Sequence, residues 1–207
     1  MSRSTASPKG VLFIISGPSG TGKGTICKAL LQKDPALRLS VSTTTRSPRN
    51  GEIEGDHYYF FNKKDFKKMI QKDHFLEWAE VYGNYYGTSR QSVLGMLDQG
   101  SDVILEIDIQ GALQVKDKLP AAVLIFIAPP SMSELKSRLF SRGTDSLEEI
   151  QRRLSCMVDE LKLAGRYDYI VINDNFEQAL DKVRAVISAE KSRSRHFKSF
   201  LAQFAQY

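Results

Sequence analysis

The stretch Gly17-Pro18-Ser19-Gly20-Thr21-Gly22-Lys23-Gly24-Thr25 limits what this chain can become more than any other. Before it runs Val11-Leu12-Phe13-Ile14-Ile15, long enough for a buried strand and too short for a core helix. After it, Ile26, Cys27, Leu30 and Leu31 recur at helical spacing. Strand, glycine-rich loop and helix form the setting of a phosphate-binding loop. The glycines let the backbone curl until its N–H groups point inward at an anion, and the helix N-terminus adds positive field. Lys23 supplies a charge that reaches the outer phosphates. The pattern expects a magnesium-binding hydroxyl after the lysine, but Gly24 stands there and Thr25 comes one place late. A nucleoside triphosphate is the expected ligand, held by residues 17–25.

Beyond the loop, strands and helices alternate. Strands are predicted over residues 37–42, 103–108, 122–127 and 169–172, all apolar-rich. Helices are predicted over 109–118, from Ser131 to about Ser141, from Ser146 to about Ala164, and from about Phe176 onward. Ser131 with Glu134 and Ser146 with Glu149 read as capping boxes. Alternation of this kind predicts an α/β, doubly wound parallel sheet, with ligands at the carboxyl ends of its strands. Ser16-Gly17, Ser42, Asp108 and Ala128-Pro129 fall on that edge. Residues 43–88 break the alternation. They hold a polar loop to Asp56, an aromatic strand over 57–61, an Asn62-capped helix, and a hairpin of 75–82 and 85–88 about Gly83-Asn84. A small antiparallel β-rich insert is the expectation, followed by a Ser89-capped helix that ends at Gly100.

With 207 residues and 42% hydrophobic content, one sizeable core is expected. No apolar run is long enough for a membrane span, and the N-terminus lacks the apolar core of a secretory signal. Cytoplasmic location is therefore the expectation. Cys27 and Cys156 fit no metal spacing and read as small core residues, and His57, His74 and His196 are scattered, so no zinc site is expected. The net charge of +5 would suit nucleic acid, but the basic residues are spread along the chain. A phosphorylated small substrate explains the excess as well. The basic run 191–198 reads as a solvated helix face.

Arg46 and Arg49 stand on a proline-stiffened loop, and Tyr58 follows. Such a pair is commonly mere surface charge, but planar guanidiniums also fit a second phosphate. Arg138, Arg142 and Arg153 lie about the junction of two capped helices. They are either helix-surface charge paired with Glu148 and Glu149, or the arginines of a lid closing over a transferring phosphoryl group. Glu77 is a charge within a strand, explained either by a salt bridge or by a ligand with two adjacent donors. Asp108, at a predicted strand end opposite the loop, is read as holding magnesium through water or positioning Arg46 and Arg49, against the alternative of a chance acidic strand end.

Taken together, G-P-S-G-x-G-K, S-x-T-T-R-x-P-R-x-G-E-x-x-G-x-x-Y, F-L-E-W-A, G-N-Y-Y-G, I-D-x-Q-G and R-G-T-D-S resemble the guanylate kinases, of the compact bacterial type, from Val11 to about Val186. The resemblance implies a P-loop fold with a core (1–42, 89–130, 154–207), a GMP-binding insert (43–88) and a helical lid (131–153). It implies transfer of the γ-phosphoryl group of ATP to GMP with Mg²⁺, and no nucleic-acid or membrane partner. Oligomeric state is left open, homo-oligomers included. On this resemblance Gly17 to Thr25 and Asn173 bind ATP, with Asn173 near adenine. Arg46, Arg49, Tyr58 and Tyr86 hold the GMP phosphate, Ser42, Glu77 and Thr88 read guanine, and Glu106 and Asp108 line the same site. Lys23, Arg46, Arg138, Arg142 and Arg153 would carry catalysis. Two rivals are a kinase for another nucleoside monophosphate and a non-catalytic peptide-binding module. Glu77 argues against AMP, and the intact loop argues against the module. Gly24 replaces the family's usual Ser, as in the related adenylate kinases that carry Gly-Lys-Gly-Thr. Glu106 stands where Asp is common, a change expected to matter little.

Overall fold

A computed structural model of the chain describes residues 9–81, 83–141 and 159–204. Side chains from residue 137 to 141 and that of Ser199 are not among them.

The main sheet is parallel, with order β2(Leu37–Leu39)-β7(Asp102–Glu106)-β1(Leu12–Ser16)-β8(Val123–Ala128)-β9(Tyr169–Ile172). Both faces of its central strand are apolar, so alternate residues enter different cores. Val11, Phe13 and Ile15 pack with Ile26, Cys27 and Leu30 of α1(Lys23–Lys33) and with Leu180, Val183 and Ile187 of α6(Phe176–Lys191). Leu12 and Ile14 pack with Val93 of α3(Arg90–Asp98) and Ala112 and Val115 of α4(Ile109–Lys118). The chain is doubly wound, as the alternation predicted. Helix α5(Met132–Ser141) starts where expected, with the Glu134 N–H donating to Ser131 Oγ at 3.1 Å. A 3-10 turn at Leu163–Arg166 and one at Ser194–Phe197 precede β9 and α7(Lys198–Ala202), respectively. The predicted helix opening at Ser146 lies mainly outside the described residues.

A second sheet has order β4(Tyr59–Phe60)-β3(Thr43–Thr44)-β6(Asn84–Ser89)-β5(Phe75–Val81), with α2(Lys63–Gln71) between β4 and β5. Asn62 and Ser89 cap α2 and α3 as predicted. Other expectations need correction. The strand expected over 37–42 stops at Leu39 in the main sheet, and the chain pairs again at Thr43, inside the expected loop, but in the second sheet. The insert is also mixed rather than antiparallel. Thr43 pairs with Tyr59 in parallel, while β3–β6 and β5–β6 are antiparallel. The long segment between β3 and β4 acts as the crossover that a parallel pair needs.

The strand expected over 103–108 ends at Glu106, and Asp108 instead caps α4, accepting from the Gly111 N–H at 2.7 Å. The basic run near the C-terminus is not simply solvated. Arg193 and Arg195 converge on the buried Glu190, and Lys191 pairs with Asp102 at 2.7 Å. The second sheet is seated on the core through β5. Leu76 enters the α3–α4 core, Lys118 Nζ donates to Phe75 O at 2.8 Å, and Gln114 bridges both backbone groups of Trp78.

Candidate active site

At the carboxyl edge of the main sheet, β1 ends at Ser16 and the chain turns through glycines with φ of 143° at Gly17, 87° at Gly20 and 89° at Gly22 before α1 begins at Lys23. Positive φ is strained for other residues, so this curl depends on glycine. The loop walls an open cavity of about 260 Å³, lined by Ser19, Gly20, Gly22, Lys23, Gly24, Thr25 and Glu106. Thr21 is buried and donates to Pro18 O at 2.9 Å, holding the turn. Lys23 Nζ donates to Gly17 O at 2.6 Å and Pro18 O at 2.9 Å, so the ammonium rests on the loop's own carbonyls. Desolvation pushes its pKa down, against the pull of Glu106.

Asn173 is placed behind this loop. Its side chain is buried, and Nδ2 donates to Thr21 O at 2.8 Å and would lie 2.6 Å from a Cβ at Gly22. In this arrangement Asn173 braces the loop from the end of β9.

Beside the loop lies a second cavity of about 250 Å³, lined by Ser42, Tyr58, Glu77, Ala79, Val81, Tyr86, Gly87, Glu106, Ile107 and Asp108. Glu106 belongs to both walls. Glu77 on β5 is 6% exposed and stands opposite Thr88 on β6, whose hydroxyl donates to Glu77 Oε1 at 2.5 Å. Burial pushes the Glu77 carboxyl up to about 7, and the nearby negative charge of Asp108 adds to that shift. A carboxylate buried at this cost, with one hydroxyl donor beside it, is a candidate for binding a ligand that brings further donors. The other oxygen, Oε2, lies where a Cβ at Gly111 would come within 2.9 Å. Gly111 therefore gives the carboxylate its room.

At the mouth of this cavity the Arg46 guanidinium lies 5.3 Å from the centre of the Tyr58 ring, and Tyr58 meets Tyr86 edge-on at 6.1 Å. Glu52 grips Arg46 bidentately, accepting from Nη1 at 2.9 Å and Nη2 at 2.8 Å, and also accepts from the Arg49 N–H at 2.8 Å. The Arg46 guanidinium in turn holds the Glu52 carboxyl down to about 2. Ser42, Tyr58, Glu77, Tyr86, Glu106 and Asp108 are thus brought to one cavity, with Thr88 beneath and Arg46 at the edge. Arg49 is exposed, and its backbone N–H donates to Glu52. Arg142 and Arg153 lie outside the described residues, as does the side chain of Arg138.

Glu52, Gly111 and the loop-bracing contact of Asn173 escape a reading of the sequence. The one signal for Glu52 was a carboxylate three residues after Arg49 in the same turn, and for Gly111 a glycine in the first turn of a helix.

Magnesium is a hard cation that takes oxygen ligands. Among the described residues no cluster of three or more His, Cys, Asp or Glu groups could hold a metal by itself. The loop cavity does offer the Glu106 carboxylate and the hydroxyl-bearing residues Ser19 and Thr25. That donor set fits a magnesium ion whose other ligands are phosphate oxygens and water.

A family model for guanylate kinase matches residues 9–190. A guanylate kinase of Caldanaerobacter subterraneus is 56% identical over 89% of this chain and 90% of its own length. One from Clostridioides difficile is 45% identical over 94% of this chain and 95% of its own length. The crystal structure of guanylate kinase from Anaplasma phagocytophilum superposes with a TM-score of 0.73 at 32% identity, covering 91% of this chain and 89% of that one.

Proposed function

The chain belongs to the guanylate kinase family and transfers the γ-phosphoryl group of ATP to GMP, and we propose the following roles for its residues. Residues Gly17 to Thr25 hold the triphosphate of ATP, with backbone N–H groups and Lys23 facing it. Asn173 keeps the loop in shape from behind, where the resemblance placed it near adenine. Glu77 accepts from the N1–H and N2–H₂ of guanine, which are adjacent donors matching the two oxygens of a carboxylate. Ser42 and Thr88 complete that edge. Arg46, Arg49, Tyr58 and Tyr86 take the GMP phosphate, and Glu106 and Asp108 line the gap between the two substrates.

The observation that carries this reading is a buried, ligand-seeking Glu77 in a cavity that shares a wall with the phosphate loop. Two phosphorylated substrates held in adjoining cavities need no covalent enzyme intermediate. The GMP phosphate attacks in line, and the protein contributes position and charge neutralisation. Lys23 leaves its two carbonyls for the phosphates, so its charge is already oriented before the substrates meet. Magnesium held at Glu106, with Ser19 and Thr25 beside it, would lower the negative charge of the phosphates. Arg138, Arg142 and Arg153 keep the lid role that their motif suggests, with 131–153 closing over the core and 43–88 closing over GMP.

No helix among the described residues is long and apolar enough to cross a membrane. The test of the base assignment is ADP release with GMP, AMP, CMP and UMP as acceptors, for the wild type and Glu77→Gln. Selectivity for GMP that survives Glu77→Gln unchanged would remove Glu77 from the base site.

A further inference from the structure

We propose that Glu106 is a direct magnesium ligand in the ATP complex, its longer side chain taking the place that a hydroxyl on residue 24 holds in the usual phosphate-loop pattern. The inference rests on the loop being the ATP site. Gly24 lies within α1, in a conformation that any residue adopts, so backbone geometry does not call for glycine there. Glycine inside a helix weakens it. What glycine provides is space. A Cβ on residue 24 would lie 3.2 Å from Glu106 Oε1 and 3.5 Å from Oε2. A side chain on residue 24 would thus crowd the carboxylate, which would have to give way by a few tenths of an ångström.

That carboxylate is also chemically exposed. No described side chain forms a hydrogen bond or ion pair with it, since Lys23 is engaged by the carbonyls of Gly17 and Pro18. It lines the loop cavity and the acceptor cavity together. A bare carboxylate there would repel both a triphosphate and a GMP phosphate. With a divalent cation between them, the same group becomes a hard oxygen ligand of higher charge than a hydroxyl. Asp108, the other carboxylate nearby, already spends Oδ1 on capping α4. Gly24 and Glu106 therefore act as one exchange, a short residue on the helix matched by a long one on the strand.

The consequence is a strong coupling between metal and nucleotide. ATP is titrated calorimetrically into the full chain without GMP, once with EDTA and once with Mg²⁺. The readout is the ratio of the metal-free to the Mg²⁺ dissociation constant. Glu106→Gln removes both the repulsion and the ligand, so metal-free ATP should bind more tightly and MgATP more weakly. Each shift should be roughly tenfold, and the ratio should fall by roughly a hundredfold. An unchanged ratio overturns the proposal, including the case in which both affinities fall alike because Glu106 merely shapes the cavity. Lys23→Ala, titrated in parallel, tests the underlying reading, because ATP affinity indifferent to Lys23 would mean that the loop is not the ATP site.

If Glu106→Gln does not fold, a compensation experiment replaces it. Glu106→Asp should lower the ratio by drawing the carboxylate back. Adding Gly24→Ser to it should restore the ratio, because the hydroxyl regains both room and function. Gly24→Ser alone should lower it by crowding Glu106. A double variant no better than Glu106→Asp overturns the exchange.

Discussion

The two cavities share the Glu106 wall yet are built on opposite plans. The loop cavity is made almost wholly from one continuous stretch, and the groups we propose to work there are backbone N–H donors and one lysine. The acceptor cavity draws residues from the β2–β3 junction, the turn before β4, β5, β6 and the β7–α4 junction. Backbone donors recognise any polyphosphate, so the first site needs a shape more than an identity. Side-chain donors and acceptors carry the identity of a base, so the second depends on individual atoms. One replacement in the first should cost rate, whereas one in the second should cost discrimination.

The largest effect should come from Lys23→Ala. It removes the loop's one charged side chain, and kcat should fall roughly a thousandfold, the scale of losing a preorganised electrostatic contact. Selectivity among mononucleotides should stay as it was. Steady-state kinetics with GMP and AMP checks both parts, and a changed GMP-to-AMP ratio would blur the division between the cavities.

Glu77→Gln should show the reverse pattern. The new amide would set a donor against guanine donors, and an unpaired buried group costs about 1–3 kcal/mol. The kcat/KM for GMP should drop tenfold to a hundredfold, with KM for ATP nearly unchanged. A loss shared equally by ATP and GMP would make Glu77 a structural residue.

Glu52→Gln sharpens the comparison, because Glu52 serves the acceptor side by holding Arg46 through both guanidinium nitrogens. Loosening it leaves Arg46 present but unaimed. KM for GMP should rise by about tenfold while kcat changes little, since mispositioning a binding group costs ground-state affinity. Arg46→Lys should not reproduce the wild type, because an ammonium cannot grip Glu52 bidentately.

The same contrast explains what could be read from the sequence. The loop was legible because strand, glycines, lysine and helix stand in a row and local geometry dictates their use. Glu77 was legible as a charge within a strand, and its partner Thr88 lay on the other arm of a visible hairpin. Glu52 and Gly111 were not, because each matters through a contact that no spacing encodes. Gly111, on α4, makes way for a carboxylate on a strand of the second sheet. The parallel pairing of Thr43 with Tyr59 was hidden for a similar reason: strand propensity marks a strand without its direction. Glu106 was visible as a lengthened acid, but its bearing on Gly24 appears only when β7 and α1 are set side by side.

The smallest effect concerns stability, and it tests whether the acceptor site is costly to maintain. Glu77 is held at about 7 by burial, against an ordinary carboxyl value of 4.5. Below pH 4.5 the group is protonated in both folded and unfolded chains and costs nothing. Between 4.5 and 7 the unfolded chain releases the proton while the folded one keeps it, so folding stability falls as pH rises. Above pH 7 the full cost is present. Glutamine carries no charge, and its oxygen can still accept from Thr88. Its amide nitrogen needs a partner of its own, which offsets part of the gain. Glu77→Gln should therefore stabilise the substrate-free protein by about 1–2 kcal/mol at pH 8, and this advantage should shrink as the pH falls through 7 and turn into a disadvantage near pH 4.5, where only the amide's unmet partner is left. Urea unfolding of both proteins across this range measures it. A variant less stable than wild type at pH 8 would show that the Glu77 carboxylate is paid back within the protein, and the acceptor site would then hold no reserve of strain for GMP to relieve.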